Sequence, residues 1–343
     1  MPTNTSGNFV YTVTRDTVIR NAMLNIGKLA GTETPTAQET TDCAVFLNMM
    51  VRQWMGRQDM ANGLKMWSRY RGDLLLSAVK GIYTLSPSGD NWAAGVTLSL
   101  NPNQPNLNEG VTTAASAQGA TTLTVSTAQA AGFTVNDYVV VQNANNDISS
   151  MQCSAVNTGT GVITVPALPV AVLSGAVIWN YTTKGQPPLE IQSAILRDSQ
   201  ENDTPLNYMT LQEYEALPTK CQPGYLSDPT AIYYEPTTTV SGGIRSGVIY
   251  LDVAGESDVT KQIHIVALRP LQNFTNPLDV PDFPEDWELP LSLGLSRLIA
   301  PMFNAVWTPE MDSNLTQALG IAKETTSETT TMYFQCHAED MNP

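Results

Sequence analysis

Val139-Val140-Val141-Gln142-Asn143-Ala144-Asn145-Asn146-Asp147-Ile148-Ser149-Ser150-Met151-Gln152-Cys153 reads as two short strands around a polar turn. Along a strand the side chains point alternately to opposite faces, and here Val139/Val141 and Met151/Cys153 mark one face. The same alternation recurs on either side at Leu123/Val125, Ile163/Val165 and Val177/Trp179/Tyr181, with a second turn cluster at Asn157-Thr158-Gly159-Thr160-Gly161. Short strands at regular spacing predict a small barrel or sandwich. From Trp92 to Thr183 there is no Lys or Arg. The stretch 92–183 is therefore expected to be an inserted β domain.

The flanks read differently. Thr14 precedes Val18, Ala22, Ile26 and Leu29, the spacing of one helix face, and Gly31 is expected to close that helix in a left-handed conformation. Thr36 and Glu39 form a capping box. It opens a second helix with Cys43, Leu47, Met50 or Val51, Trp54 and Met55 on one side, and Asn62-Gly63 is expected to end it. Strands are predicted near Lys65–Leu76 and Ile82–Leu85, with Lys80-Gly81 as the turn. After the insertion come a strand at Leu189–Leu196 and a capping box at Thr210/Glu213. Strands at Ala231–Glu235, Val248–Val253 and Gln262–Leu268 follow. Pro284 suits the first position of a helix, and Pro290 is expected to bend or restart it. A last helix is predicted from about Pro309 to Thr325. The expected fold class is α+β: a helical hairpin and C-terminal helices packed with an antiparallel β-meander, interrupted by the all-β insertion. The expected domains are an arm at 1–13, a split core at 14–91 and 184–325, the insertion, and a tail at 326–343.

Composition narrows the function. Acidic residues number 32 against 17 basic, a formal charge of −15, whereas a chain that grips DNA needs a basic stripe to displace counterions from phosphates. Cys43, Cys153, Cys221 and Cys336 are widely spaced, so neither a zinc knuckle nor a disulfide scaffold is expected. The polar start contains no apolar signal core, and the most apolar window, Ala167–Tyr181, is shorter than the roughly 20 residues that span a bilayer. A soluble protein without a membrane partner is expected.

Candidate chemistry is sparse. His264 lies among strand aliphatics, and His337 beside Cys336 sits in a polar tail. A general base needs a positioned partner, which neither neighbourhood supplies in sequence. Glu201/Asp203 and Asp282/Glu285/Asp286 could serve glycoside hydrolysis, but acids in a loop or at a helix start usually face water or cap. No phosphate-binding glycine motif is present. No catalytic, cofactor or metal site is expected. Trp54, Trp67, Trp287 and Trp307 read as core or interface anchors. Tyr333-Phe334 forms an apolar hook in a polar tail, suited to a partner groove.

The chain resembles phage head-to-tail adaptors, the head-completion or packaged-DNA-stabilisation proteins. The resemblance rests on Thr14-Arg15-Asp16 through Leu47-Asn48-Met49-Met50 and Trp54, on Pro188-Leu189-Glu190-Ile191 and Leu196-Arg197-Asp198, and on Leu211-Gln212-Glu213-Tyr214 with Leu217-Pro218. It continues through Leu268-Arg269-Pro270-Leu271-Gln272-Asn273-Phe274, Pro281-Asp282-Phe283-Pro284-Glu285-Asp286-Trp287, Arg297-Leu298-Ile299-Ala300-Pro301 and Met332-Tyr333-Phe334-Gln335. It covers roughly 14–91 and 184–336 and is silent on the insertion. It implies a dodecameric ring beneath the portal protein of a DNA-filled head, at the neck of the virion, assembled in the host cytoplasm. Such a ring closes the head, carries tail or nozzle proteins, and lets double-stranded DNA pass through its lumen. Tyr333, Phe334 and Gln335, with Trp54 and Trp287, are the expected partner-interface residues. The alternatives are a glycan- or protein-binding module using the β insertion, and a cell-wall hydrolase.

Overall fold

The computed structural model describes residues 13–56, 68–94, 107–218, 220, 227–237, 246–253, 258–282 and 284–326. The fold is α+β with antiparallel sheets. The expected ends at Asn62-Gly63 and the tail hook Tyr333-Phe334-Gln335 lie outside the described residues. Chain contacts group the protein into two compact units, residues 1–68 with 271–343 and residues 69–270. This division differs from the expected split core: the longer helices gather in one unit, and the meander joins the insertion in the other.

In the first unit α1 (Arg15–Asn25) starts at Thr14, whose hydroxyl accepts the Thr17 N–H. It stops about one turn earlier than the apolar spacing suggested. Gly27 (φ +69°), not Gly31, takes the left-handed position. The Gly27 N–H then reaches Leu24 C=O and the Lys28 N–H reaches Met23 C=O, each at 3.0 Å. These are the paired bonds of a Schellman closure, which satisfy carbonyls left over at the helix end. The second helix, α2 (Ala37–Gly56), begins with the expected box: the Glu39 N–H donates to Thr36 Oγ1 and the Thr36 N–H donates to Glu39 Oε2.

Both proline expectations need correction. Pro284 precedes a single 3-10 turn (Glu285–Trp287), and the α-helix proper starts at Glu288. Pro290 is thus in the first turn of α5, here named for Glu288–Ile299, where a missing N–H removes no helical bond. The preceding short helices are α3 (Thr127–Ala130) and α4 (Leu211–Ala216), and α6 (Pro309–Thr326) follows. Small residues on α5 allow close packing. A Cβ on Gly294 would lie 2.6 Å from the Trp54 ring, and Ser296 Oγ donates to Ala22 C=O at 3.0 Å. Val18, Ile19, Leu47, Met50, Trp54, Leu291, Leu295 and Leu319 share the resulting core.

The second unit contains β1 (Arg69–Leu75), β2 (Ile82–Leu85) and β3 (Trp92–Ala94). Next come β4 (Asn108–Val111), β5 (Thr122–Thr124), β6 (Tyr138–Gln142), β7 (Ile148–Gln152), β8 (Ala155–Asn157), β9 (Val162–Thr164) and β10 (Val177–Tyr181). The chain returns through β11 (Glu190–Arg197), β12 (Asp203–Pro205), β13 (Asn207–Tyr208), β14 (Ala231–Thr237), β15 (Ser246–Leu251) and β16 (Gln262–Leu268). A five-stranded sheet, β12-β11-β16-β1-β3, and a four-stranded sheet, β13-β14-β15-β2, bury Leu74, Ile263, Ile265, Ile249 and Leu251 in one cluster. The alternation explains the layering: Ile263, Ile265 and Ala267 point inward, while Gln262 and His264 share the other face.

The inserted strands make two further sheets, β4-β10-β6-β7 and β5-β9-β8, around Leu123, Val139, Val141, Ile163 and Ile178. This is a small sandwich with its own core, as the alternation predicted. Its boundary is not where the charge pattern placed it. Trp92–Ala94 pairs with β1, because Gly72 leaves room for the Trp92 indole: a Cβ there would sit 2.2 Å from the ring. The insertion is also not self-contained. Leu75 and Ala93 of the larger sheet share a second cluster with Leu107, Val140, Trp179 and Tyr181. Asp147 Oδ1 accepts the Ala78 N–H at 2.9 Å, and Tyr181 Oη donates to Asn91 Oδ1 at 3.2 Å. Trp179→Ala is expected to cost about 3–5 kcal/mol, the usual range for a fully buried Trp. Urea unfolding should therefore show an earlier transition for both sandwiches together; loss from the insertion alone would contradict the shared cluster.

Candidate interaction surfaces

The expected tryptophan anchors lie inside. Trp287 is fully buried and Trp54 nearly so, and their rings meet at 6.2 Å with a 52° tilt. Both belong to the helical core of their own chain. The outward face of α2 carries a different pair: Val45 is 55% exposed and Met49 60%. They stand four residues apart, hence one above the other, opposite buried Cys43, Leu47 and Val51. Sequence reading passed over them because it sought the buried stripe and treated the other face as solvated. Burial pushes the Cys43 thiol up to about 11, which keeps it an inert core group.

The insertion offers little to a sugar. Trp92, Phe133, Trp179 and Tyr181 are buried, and Tyr138 stacks on Tyr181 at 5.2 Å beneath Lys184. Their ring faces are taken. A separate tyrosine cluster, Tyr214, Tyr233 and Tyr250, fixes α4 on the outer face of the four-stranded sheet, with centroids 5.0–5.9 Å apart. Those rings too are occupied chiefly by one another. The capping box at Thr210/Glu213 starts α4 as expected, and Glu213 is held below the usual carboxylate range by the Thr210 N–H it accepts.

The polar face of the five-stranded sheet holds the residues with most chemical potential. Register places Asp73 on β1 directly across from His264 on β16, and His264 Nδ1 bonds Asp73 Oδ1. Asp73 Oδ2, His264 Nε2 and Gln262 Oε1 are buried without a hydrogen-bond partner among the described residues. The sequence showed each residue but not the pairing, since the strands are far apart in the chain. A His–Asp pair can orient a base, yet general-base chemistry also needs a substrate group within reach. Among the described residues, no group of three His, Cys, Asp or Glu could hold a metal ion.

Two of the carboxylates considered for hydrolysis, Asp203 and Asp282, are engaged elsewhere. Asp203 takes both Arg197 nitrogens, at 2.7 and 2.9 Å, and this bond holds its carboxyl below the usual range. Glu201 occupies a left-handed turn (φ +63°), and Asp282 accepts the Gln272 N–H. Glu285 and Asp286 lie in the 3-10 turn before α5. His337 and Cys336 lie outside the described residues. No helix among the described residues is long and apolar enough to cross a membrane. No family model matches the chain, and no curated protein matches it.

Two outcomes follow from this geometry. Replacing Asp73 alone with Leu should cost about 1–3 kcal/mol by leaving the half-buried His264 unpaired. Asp73→Leu with His264→Leu should recover most of that loss in chemical denaturation. Second, the folded-state carboxyl of Asp203 is depressed, so its stabilising increment is present above the ordinary Asp range and disappears as pH falls through and below it. Asp203→Asn should flatten that acid limb of a Tm-against-pH curve, by under about 1 kcal/mol because the pair is exposed.

Proposed function

We propose that this protein is a head-to-tail adaptor of a tailed phage, a structural ring subunit beneath the portal that closes the packaged head and carries the tail. What carries the reading is the ordered series of segments resembling adaptor proteins along both flanks of the insertion. The exposed Val45–Met49 pair on α2 supports it, as an apolar contact for a neighbouring copy. A net charge of −15 suits a lumen through which DNA passes without adhering. In this reading the chain is not an enzyme, and its partners are further copies of itself, the portal, and tail or nozzle proteins. Repeated weak contacts act together once a portal template raises the local concentration.

Purified chain mixed with the portal is expected to form rings visible by electron microscopy, while the chain alone sediments as a monomer or a weak associate. Val45→Asp with Met49→Asp should reduce ring occupancy at least tenfold with little change in Tm, since both side chains are outside the core. Deleting Thr326–Pro343 should weaken portal attachment and leave the fold intact. Failure of the wild-type chain to join portal rings, or its absence from the necks of intact virions, would sink the adaptor reading.

A further inference from the structure

A left-handed backbone suits glycine or asparagine; in a β-branched residue it is strained, because Cβ crowds the following carbonyl. Val79 adopts it (φ +57°) in the turn between β1 and β2, with its side chain 45% exposed. The turn is held firmly. The Ser77 N–H donates to the hydroxyl of buried Tyr83, that hydroxyl donates to Lys80 C=O, and the Ala78 N–H reaches Asp147 Oδ1. Among the described residues the Val79 side chain joins no hydrophobic cluster. Strain kept at a rigid, exposed position points to a contact outside the chain.

Val79 is not alone at this end of the β unit. Asp147 belongs to the β6–β7 turn, whose Ala144 N–H donates to Ala171 C=O at 2.8 Å. Two residues further on, Leu173 is 57% exposed, and its C=O accepts the Thr112 hydroxyl at 2.7 Å. The loops at 77–80, 143–147 and 171–175 are thus tied side by side, with Val79, Ala144 and Leu173 uncovered. Their two charged groups are engaged: Asp147 Oδ1 also accepts the Ile148 N–H, and Lys80 Nζ lies 2.5 Å from Asp90 Oδ1.

We propose that this patch receives the outward face of α2, with Val45 and Met49, from a neighbouring copy. The choice of occupant rests on the adaptor reading, in which copies of charge −15 pack side by side. Bodies of like charge meet at least cost where neither presents a charge, whereas a cationic partner would be drawn to the carboxylates. The α2 face meets that condition. Gln38, Thr41, Val45 and Met49 follow one another at helical spacing and carry no charge. Asp42 beside them accepts from Gln38, and Arg52 at the end of the row donates to Asn273. Two different patches meeting head to tail make a contact that repeats around a ring, whereas a patch meeting its own copy closes at two.

Charge exchange in the full chain tests it, read by sedimentation at high concentration and by occupancy of portal rings. Met49→Lys and Leu173→Glu should each weaken copy–copy association about tenfold. The chain carrying both should regain most of that loss, because each head-to-tail contact then joins opposite charges. No recovery in the double variant overturns the proposal. So does recovery seen only on mixing Leu173→Lys chains with Leu173→Glu chains, which makes the patch a two-fold contact. Val79→Gly relieves the strained turn, so Tm should stay level or rise while association falls several-fold. A lower Tm or undiminished association counts against a docking role for Val79. Raising NaCl from about 50 to 500 mM should strengthen association by screening the net repulsion. Weakening with salt would mean paired charges at the contact and overturns it. Portal rings with no coupling between Met49 and Leu173 reject this contact alone; coupling without portal rings leaves the contact standing and removes the adaptor reading.

Discussion

The antiparallel pairing of β1 with β16 organises the β unit. It runs from Arg69 opposite Leu268 to Leu75 opposite Gln262, so the strand on which the chain enters the unit lies beside the strand on which it leaves. Everything between those strands is an excursion whose ends are already joined. Closing so long a loop costs conformational entropy that grows only slowly with length, which is why a whole sandwich can be accommodated within it. The same pairing sorts the side chains, sending Leu74, Ile263 and Ile265 into the core and Asp73, Gln262 and His264 to the opposite face.

That opposite face is where packing and polarity compete. Leu75 and Ala93 supply an apolar floor on which Val140, Trp179 and Tyr181 rest. One position along β1, in pleat terms, Asp73 and His264 form a polar pair at the margin of the same floor. A buried pair of this kind stabilises little relative to an apolar replacement, but it is costly to break from one side. It therefore specifies register more than it adds stability, because a slip by one residue would bury Asp73 against Ile265 and Leu74 in the core.

Edge management follows a similar logic. On β4 the Gln129 carboxamide, oriented to suit both bonds, pairs with Val111 C=O and N–H, and on β2 Asp90 Oδ2 accepts the Thr84 N–H. Strand mimicry by Gln129 and Asp90 requires glycine at a neighbouring position: Gly110 beneath the amide, and Gly89, where a Cβ would fall 2.2 Å from Thr84 C=O. These glycines serve close approach rather than flexibility. The edge strand β7 is treated in the same way at its start, where the Ile148 N–H donates to Asp147 Oδ1 at 2.8 Å.

Much of the local structure was legible in the residues. The boxes at Thr36/Glu39 and Thr210/Glu213 and most strands follow from hydrogen-bond chemistry and alternation within a few positions, so their causes are local. Closure of α1 at Gly27 was missed because an apolar stripe continues through Leu29 even though the backbone has already turned. Pro290 was misread because its cost depends on where the helix starts, which Glu288 and the turn before it decide. The partner-facing role expected for Trp54 and Trp287 met the same limit: a sequence shows an aromatic residue but not which side of it is covered. By itself the sequence determined the α+β class, the alternating insertion, the helix caps and the lack of a basic surface. Only the tertiary structure decided the Asp73–His264 pairing and the fusion of the insertion to Leu75 and Ala93. Those depend on register between strands distant in the chain, which no periodicity within either strand encodes.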